Sequence, residues 1–345
     1  MEKIKARRRV MNGNDFGSLQ PLVIAYGYEK NTEQTVFLGY DREISVAGCN
    51  GLLKKLLPLC NGINQLADIL AKLKKEYEIT FLQEVVRTLL KNEILIDSRY
   101  FYWVFHKRSM NPPLYFRELS EGQIVEILSR KNYKRYKERK EYSLASREEI
   151  DSTLLDFMKS RRSIWRYSSQ EISFQTLSGL LRVAYGIVRR EDLGLYVVPH
   201  RTVPSGGALY PLEIYIATLV DVGKIRKGLY YFQKERECLT LLKEGNFRAE
   251  LREMVVDVPE TIVSASLFMF VTASFNRECE KYANRGYRHI LLEAGHLAQN
   301  VYLYCLDQNL DTVELSGFLD EKLADFLGLS LFEESPVTVL AVGGR

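Results

Sequence analysis

One stretch near the C-terminus limits the possible folds more than any other. Residues 287–306 have the pattern of a single long helix that is mostly apolar, which is typical of a buried core element. Its polar residues His289, Glu293, His296 and Asn300 step by four, three and four positions, so they share one face of the helix. This polar stripe is either a satisfied internal network or a face that binds a ligand, and the sequence leaves both interpretations open.

The composition excludes several classes of protein. A chain of 345 residues suggests two domains, and 46% hydrophobic with 27% charged residues is typical of a globular protein rather than a disordered or fibrous one. No run of about 18 apolar residues is present, which predicts no membrane span. The basic start of the chain carries no apolar signal core. We therefore expect a cytoplasmic protein.

Metal and nucleic-acid binding are disfavoured by the pattern of residues. The five cysteines are widely spaced and form no CxxC motif, which predicts reduced thiols and no structural zinc. Glu293 and His296 have the spacing of a di-iron helix, but that site needs a second copy, which the four histidines do not supply. We predict no metal. The formal net charge of +4 lies towards residues 1–150 and is small for a nucleic-acid partner.

The pattern of elements predicts two folded units and two connecting segments. Residues 1–20 are predicted to be mobile, and residues 21–100, with strands, three helices and a closing strand, to form a small winged-helix domain. Residues 101–152 are interpreted as a connecting segment with an aromatic cluster and a basic, solvated helix. Residues 153–345 mix helices and strands without regular βαβ alternation, which predicts an α+β domain.

Two groups of residues are suited to binding a phosphate. Arg161, Arg162 and Ser163 follow a short helix, and arginine presents a planar fork of donors that matches phosphate. Arg345 ends a buried strand that could deliver it to the same group. The alternatives are a surface charge cluster and an ordinary chain end.

Two further groups are suited to a flat ligand and to proton transfer. In the loop of Pro204, Ser205 and Gly206, glycine lets the backbone approach a ligand closely. Lys281 and Tyr282 stand side by side before the long helix, and lysine can act as a base when burial and neighbouring cations lower its pKa. The loop could equally be a plain connection to the next strand.

Four motifs in a fixed order resemble a known family. They are RRS, PSGGALYPLEIY, KYANRGYRHILLEAGHLAQN, and GFLDEKLADFLGL before the closing strand PVTVLAVGG. Over about residues 153–345 they are similar to the SagB-type dehydrogenases, which are FMN-dependent azoline oxidases of the nitroreductase superfamily. No P-loop, Rossmann fingerprint or GxSxG motif competes with this assignment.

The resemblance implies a fold and an activity. The fold is a nitroreductase-like α+β domain that forms a homodimer with FMN at the subunit interface. The substrate is a ribosomally made precursor peptide in which a YcaO-type cyclodehydratase complex has made thiazoline or oxazoline rings. The enzyme oxidises these rings to thiazoles or oxazoles.

The resemblance also assigns roles to individual residues. It places Arg161 and Ser163 at the flavin phosphate and ribityl chain, with Arg162 as adjacent support and Arg345 as a further phosphate ligand. The loop over the isoalloxazine, contributed by the partner subunit, is Pro204, Ser205 and Gly206. Gly317 falls where the family approaches the flavin ring.

Lys281 and Tyr282 match the catalytic pair of the family, and the residues near them depart from its pattern. Ala283 stands where the family often has glycine, and His289 replaces a commoner aromatic residue and could face the flavin ring. A cation two residues after the serine is usual, but this chain has Trp165 there and the arginine follows one position later.

The N-terminal unit has a resemblance of its own. Residues 52–77 together with 89–97 are similar to the PqqD-like winged-helix modules, in which an extended leader peptide adds a strand to the small sheet. A structural appendage is the alternative. No predicted helix in this unit concentrates arginine or lysine, which disfavours a DNA-binding repressor.

Two other functions stay open at the level of sequence. One is an NAD(P)H-dependent nitro- or quinone reductase on the same fold. The other is a non-catalytic scaffold that binds a precursor peptide, which the basic first half of the chain suggests.

Overall fold

The computed structural model describes residues 16–31, 33–38, 43–110, 120–129, 143–145, 152–168, 171–256 and 260–345. Most of the segment 1–20, predicted to be mobile, lies outside these residues. The whole basic run 131–140, interpreted above as a solvated helix, also lies outside them.

Helices and strands alternate irregularly along the described parts of the chain. The helices are α1 (Asn50–Leu56), α2 (Leu66–Leu73), α3 (Ile79–Lys91), α4 (Phe101–Ser109), α5 (Glu121–Ser129), α6 (Thr153–Ser160), α7 (Phe174–Tyr185), α8 (Arg248–Met254), α9 (Phe275–Tyr282), α10 (Arg285–Asp307) and α11 (Asp320–Leu327). The strands are β1 (Pro21–Val23), β2 (Tyr26–Glu29), β3 (Gln34–Leu38), β4 (Glu43–Ala47), β5 (Leu95–Asp97), β6 (Ile187–Asp192), β7 (Val197–Arg201), β8 (Leu212–Thr218), β9 (Gly228–Gln233), β10 (Cys238–Glu244), β11 (Leu267–Ala273), β12 (Leu310–Leu315) and β13 (Ser335–Gly344).

The N-terminal elements have a hydrophobic core of their own. Strands β2, β3 and β4 form an antiparallel sheet in that order, and β1 pairs with β5. Helices α1 to α3 contribute fully buried leucines to the core beneath them, among them Leu56, Leu82 and Leu89. The order of elements agrees with the predicted one, whereas the domain boundaries at residues 20, 100 and 152 stay predictions.

Helix α3 is capped by a residue other than the one that the sequence suggests. Thr80 has the residue type of an N-cap, but the capping residue is Glu78, whose carboxylate accepts the backbone N–H of Phe81 at 3.3 Å. Thr80 lies inside the first turn of the helix.

The second half of the chain is built on a six-stranded antiparallel sheet in the order β10–β9–β8–β11–β13–β12. Every residue of β8 and β11 is buried, so both faces of the central strands are covered. This explains why these strands are continuous apolar runs rather than alternating patterns. The edge strands β10 and β12 were missed from the sequence.

Helices cover the two faces of this sheet. Met269 and Val271 of β11 share one core with α7 and α10, while Phe268 and Phe270 share the other with α8 and α11. Successive residues of a strand point to opposite faces, which accounts for this division. The predicted α+β class is confirmed.

The long helix predicted from residues 287–306 is α10, and it runs through the first of these cores. Its residues Ile290, Leu297 and Val301 have no exposed surface. Within the described residues, no helix is long and apolar enough to cross a membrane.

Candidate functional site

The loop of Pro204, Ser205 and Gly206 is held by its own side chains and by the strands beside it. The Ser205 hydroxyl accepts the backbone N–H of Tyr210 at 2.9 Å. The Tyr210 carbonyl accepts from Lys234 Nζ at 3.1 Å and from Arg277 at 2.8 Å. Both cations also pair with the buried carboxylate of Glu213, at 2.9 and 2.8 Å. The loop is therefore tied to β8 and to α9 at once.

The glycines of this loop lie directly against the predicted catalytic pair. Gly207 has a φ of 58°, and a Cβ there would lie 2.6 Å from the Tyr282 hydroxyl and 2.7 Å from Lys281 Nζ. A Cβ on Gly206 would collide with Glu278 Oε1 and would lie 2.7 Å from His289 Nδ1. Only glycine allows the backbone to approach these side chains so closely. The tertiary structure thus brings together the loop and the Lys–Tyr pair, which are about 75 positions apart in sequence.

The short connection after Tyr282 has an uncommon backbone conformation. Ala283 has φ 48° and ψ −142°, a region that side chains other than glycine rarely occupy. Asn284 holds this connection, because its side chain accepts the N–H of Tyr102 at 2.8 Å and donates to the carbonyl of Ser98 at 3.1 Å. The end of the N-terminal unit and the start of α4 therefore fix the segment that carries Lys281 and Tyr282.

The aromatic cluster predicted in the connecting segment packs on the same region. The Tyr102 hydroxyl donates to Asn276 at 3.1 Å, and its ring stacks on Phe275 with centroids 5.7 Å apart. His106 is buried beside Phe275 and Tyr287, and burial lowers its pKa to about 4. This part of the segment is a packed element rather than a solvated linker.

The four polar residues of the α10 stripe lie in three different environments. Glu293 and Asn300 belong to an internal network: Tyr185 donates its hydroxyl to Glu293, and Asn300 donates to the carbonyl of Val183 at 3.1 Å. Burial raises the pKa of Glu293 to about 7, although hydrogen bonds from Ser205 and Tyr185 oppose the shift. His296, by contrast, is exposed.

His289 takes a third environment. Its Nδ1 lies 2.8 Å from Glu278 Oε1, and its ring meets the Tyr282 ring edge-on with centroids 4.8 Å apart. Glu278 was not singled out in the sequence. The only signal was its position three and four residues before Lys281 and Tyr282, which places all three on one face of a helix.

The predicted phosphate ligands form a second cluster near the other end of α10. The Arg161 guanidinium lies over the Tyr302 ring at 5.3 Å, and Ser163 Oγ lies 3.0 Å from the Tyr302 hydroxyl. Arg161, Arg162 and Arg345 all line one recess, together with Asp311. The structure therefore brings these residues together, and their role as phosphate ligands stays a prediction.

Backbone pairing explains this convergence. The Ile164 N–H donates to the carbonyl of Thr312 at 3.1 Å, and Ser168 N–H donates to that of Gly344 at 3.0 Å. The segment after α6 therefore runs beside the ends of β12 and β13, where Arg345 lies. Gly317 lies beyond the end of β12, where a Cβ would meet the carbonyl of Val256 at 2.7 Å.

The recess has the charge that a phosphate monoester requires. Three guanidinium groups and the Asp311 carboxylate, which lies 3.2 Å from Arg345, leave an excess of two positive charges. Arg162 turns back to donate to the carbonyls of Lys159 and Arg161, at 2.7 and 2.8 Å, so it caps α6 as well. Within the described parts of the chain, no carboxylate pairs with Arg161 or Arg162. These residues fit a dianionic phosphate.

The comparison with known families agrees with the fold. Residues 158–344, more than half of the chain, match the Nitroreductase family. The chain belongs to this family of flavin-dependent oxidoreductases.

Individual relatives refine this assignment. MJ1384 of Methanocaldococcus jannaschii, named as a nitroreductase, is 32% identical over 205 residues, 59% of this chain and 96% of that protein. The Microcin B17-processing protein McbC of Escherichia coli is 25% identical over 146 residues, 41% of this chain. The aligned part is 54% of McbC, so the match spans only about half of that relative.

A solved structure shares the fold over a larger part of the chain. A chain of the E. coli microcin synthetase McbBCD complex, with truncated pro-MccB17 bound, superposes with a TM-score of 0.60 at 19% identity. The superposition covers 72% of this chain and 93% of that one, more than the nitroreductase match alone. With the McbC match, it confirms the predicted resemblance to the peptide-processing branch of the family.

The contact between the loop and the Lys–Tyr pair can be tested with two glycine substitutions. Gly194→Ala places a side chain at φ 81° with no atom within 4 Å, so we expect only the strain of a left-handed alanine, about 1–2 kcal/mol in the free energy of unfolding. Gly207→Ala should cause a similar backbone strain. Its new methyl group should also displace the side chain of Tyr282 or Lys281. We expect a similar loss of stability, because the ends of these two side chains can move aside, but a lower flavin content than in Gly194→Ala, measured by urea unfolding and visible absorption. Equal flavin contents of the two variants would contradict the expected role of this contact.

The buried Glu293 predicts a pH dependence of stability. Its ordinary pKa of 4.5 is raised to about 7 in the folded chain, so the folded state holds this proton more tightly than the unfolded state. The free energy of unfolding should fall as the pH rises from about 4.5 to about 7, by about 1–3 kcal/mol. Glu293→Gln should remove this fall, whereas Glu250→Gln, at an exposed position of α8, should keep it. The same change of the free energy of unfolding with pH in all three proteins, measured by urea unfolding, would exclude the effect.

Proposed function

We propose that this protein is an FMN-dependent dehydrogenase that oxidises thiazoline or oxazoline rings in a ribosomally made peptide to thiazoles or oxazoles. The observation that carries this proposal is the placement of Lys281 and Tyr282 against the glycine loop, 2.6–2.7 Å from the position of a Cβ on Gly207. A family that binds flavin and a relative that processes microcin B17 support the same reaction.

The residues of the chain divide the work between them. The guanidinium groups of Arg161, Arg162 and Arg345 would hold the phosphate, and Ser163 would donate to the ester oxygens or the ribityl chain. The loop of Pro204, Ser205 and Gly206 would cover the ring with its backbone. Bound FMN supplies a two-electron acceptor for the hydride that leaves the azoline ring.

Lys281 and Tyr282 handle the proton in this proposal. Oxidation to an azole also removes a proton from the ring carbon next to the carbonyl group. Lys281 is exposed and Tyr282 half-buried, so both can reach a peptide that enters beside the loop. The amine or the phenol oxygen accepts the proton, and the connection through Ala283 and Asn284 keeps the pair in place.

We further propose that the functional unit is a homodimer. The loop and the Lys–Tyr pair lie near His289, whereas the phosphate cluster lies near Tyr302. Thirteen residues of α10 separate these positions, about 20 Å along the helix axis. If the glycine loop and the arginine cluster bind the same flavin, the loop of one copy would lie beside the arginines of a second copy.

The surface between the two halves supports this arrangement. Leu291 and Leu292 on α10 are 43% and 57% exposed, and Leu154 and Phe157 on α6 are 57% and 38% exposed. Leucine and phenylalanine side chains exposed together on neighbouring helices are typical of an interface between subunits. Gly295, exposed on the same helix, would allow a second helix to approach closely.

The partners implied by the proposal are an azoline-containing precursor peptide and the YcaO-type cyclodehydratase complex that makes its rings. The relative with a solved fold belongs to a synthetase complex with a peptide bound, which supports such an assembly. The N-terminal sheet β2–β3–β4 offers edges at which a leader peptide could add a strand. Ser98, directly after β5, and Tyr102 of α4 both hydrogen-bond to Asn284, so a bound leader would lie on a unit that contacts the Lys–Tyr segment.

The activity is tested by replacing the proposed base. Lys281→Ala should keep bound flavin but lower the rate of azole formation by roughly 100-fold or more, because it removes the amine that lies against Gly207. The measurement is mass spectrometry of an azoline peptide, which loses two hydrogen atoms per ring. Lys322→Ala, an exposed lysine on α11, is the matched control and should act like the wild type.

Reduction of the flavin by NADPH with no response to an azoline peptide would instead identify a nitro- or quinone reductase.

The composite site is tested by mixing two inactive variants. Arg161→Glu removes the phosphate site of its own copy, and Lys281→Ala removes the base of its own copy. If each site takes one half from each copy, mixed dimers contain one intact site, and an equal mixture should recover about a quarter of the wild-type rate. Co-expressed variants with separate tags allow the mixed dimer to be purified and assayed. A mixed dimer without activity would show that each site lies within one chain.

A further inference from the structure

His289 and Glu278 form a pair that the proposed reaction does not yet use. The Glu278 side chain is fully buried, and its Oε1 lies 2.8 Å from His289 Nδ1. Glu278 Oε2 has no hydrogen-bond partner in the described part of the chain. The charge of a buried carboxylate is stabilised mainly by its one partner, because a low dielectric disfavours an unpaired charge.

The pair lies in the same small region as Lys281 and Tyr282. Glu278 occupies the same face of α9 as both residues, at three and four positions before them. The His289 ring meets the Tyr282 ring at an angle of 72° with centroids 4.8 Å apart. The two consecutive glycines of the loop contact all four side chains, Gly206 on the Glu–His pair and Gly207 on the Lys–Tyr pair.

The second nitrogen of His289 is available to a substrate or to a neighbouring group. The side chain is 25% exposed, and among the described residues Nε2 makes no hydrogen bond and is not buried. When a carboxylate accepts the Nδ1 proton of a histidine, the other nitrogen is left with its lone pair free. This is the arrangement by which a carboxylate orients a histidine that acts as a base.

Acidic and basic groups both surround the pair. Burial raises the pKa of Glu278, and both His289 and Lys281 act to lower it. Glu293, one turn after His289 on α10, adds a further acidic group whose charge interacts with Glu278. The loop contributes no titratable side chain. The titratable groups that face the pair or Glu293 include Lys281, Tyr282, Tyr185 and Lys234.

We propose that His289, oriented through Nδ1 by Glu278, is a further proton acceptor of the site and takes the substrate proton at Nε2 from Lys281 or Tyr282. The inference rests on the proposed function and extends it. The C–H bond of the azoline ring breaks and its proton moves to the lysine amine or the tyrosine oxygen. That bond to hydrogen then breaks as an N–H bond forms at His289 Nε2. The hydride goes to the flavin, so the ring loses two electrons and two hydrogen nuclei in total.

Nitrogen-15 NMR of the flavin-loaded protein tests the pair without any assay of activity. His289→Asn assigns the signals of His289. In the wild type at neutral or higher pH, we expect the neutral form that is protonated at Nδ1. In Glu278→Gln, His289 should no longer prefer a proton on Nδ1, because the glutamine amide can also donate to that nitrogen. A wild-type His289 protonated at Nε2 alone would overturn the proposal, because that nitrogen could not accept a proton.

Kinetics with an azoline peptide test the role itself. His289→Asn should lower kcat roughly 10- to 100-fold with little change in KM and flavin content, and should alter the acidic limb of the pH–rate profile. Glu278→Gln should act in the same direction. The matched control is His200→Asn, which breaks a comparable pair on the β6–β7 hairpin, where His200 Nε2 lies 2.7 Å from Glu191.

The possible outcomes separate this inference from the proposed function. A wild-type protein that forms azoles, with His289→Asn unchanged in kcat and pH profile, overturns the inference alone. Loss of flavin from His289→Asn also overturns it, because His289 then serves in flavin binding. A wild-type protein that forms no azoles overturns the proposed function, while the NMR measurement still decides whether Glu278 orients His289.

Discussion

The burial of helix α10 against the six-stranded sheet is the constraint on which the rest of the second domain depends. Ile290, Leu297 and Val301 are completely removed from solvent, which favours the helix by several kcal/mol of apolar burial. The helix cannot shift along its axis without exposing these side chains. Its two ends are therefore fixed in space, and each end carries one half of the site.

The polar contacts of α10 attach the surrounding segments to this fixed element. Glu293 joins it to Tyr185 at the end of α7, and Asn300 joins it to the backbone before the glycine loop. Tyr302 joins it to Ser163 and to the N–H of Glu314 at 2.9 Å. The segments that carry chemistry are loops and helix ends, and these contacts with the helix add to those that the glycine loop makes with β8 and α9. The N-terminal unit adds a further fixed point through Asn284.

The sequence predicted which segments form the site, but it did not predict which residues of other segments contact them. The strongly periodic or apolar stretches, among them α10, β8 and β13, were recognisable because burial imposes a pattern on every residue. The edge strand β10 was missed because most of its residues are exposed, so burial imposes little pattern on it. Strand β12 was missed although it is largely buried, because Asp311, Thr312 and Glu314 interrupt its apolar run. Glu278 was missed for a different reason: a single glutamate in a charged helix has no sequence signature, and only its contact with His289 distinguishes it from an exposed one.

The sequence by itself determined the family, the class of fold and which residue types could bind phosphate and transfer protons, because these follow from ordered motifs and from periodicity. The tertiary structure alone decided which of these residues meet. It brought Gly207 onto the Lys–Tyr pair and Gly206 onto the Glu278–His289 pair. It placed Glu293 and Asn300 in an internal network and left His296 exposed, and it separated the arginine cluster from the loop by thirteen residues of α10. Contacts between residues far apart in the chain depend on packing, and packing leaves no local pattern in the sequence.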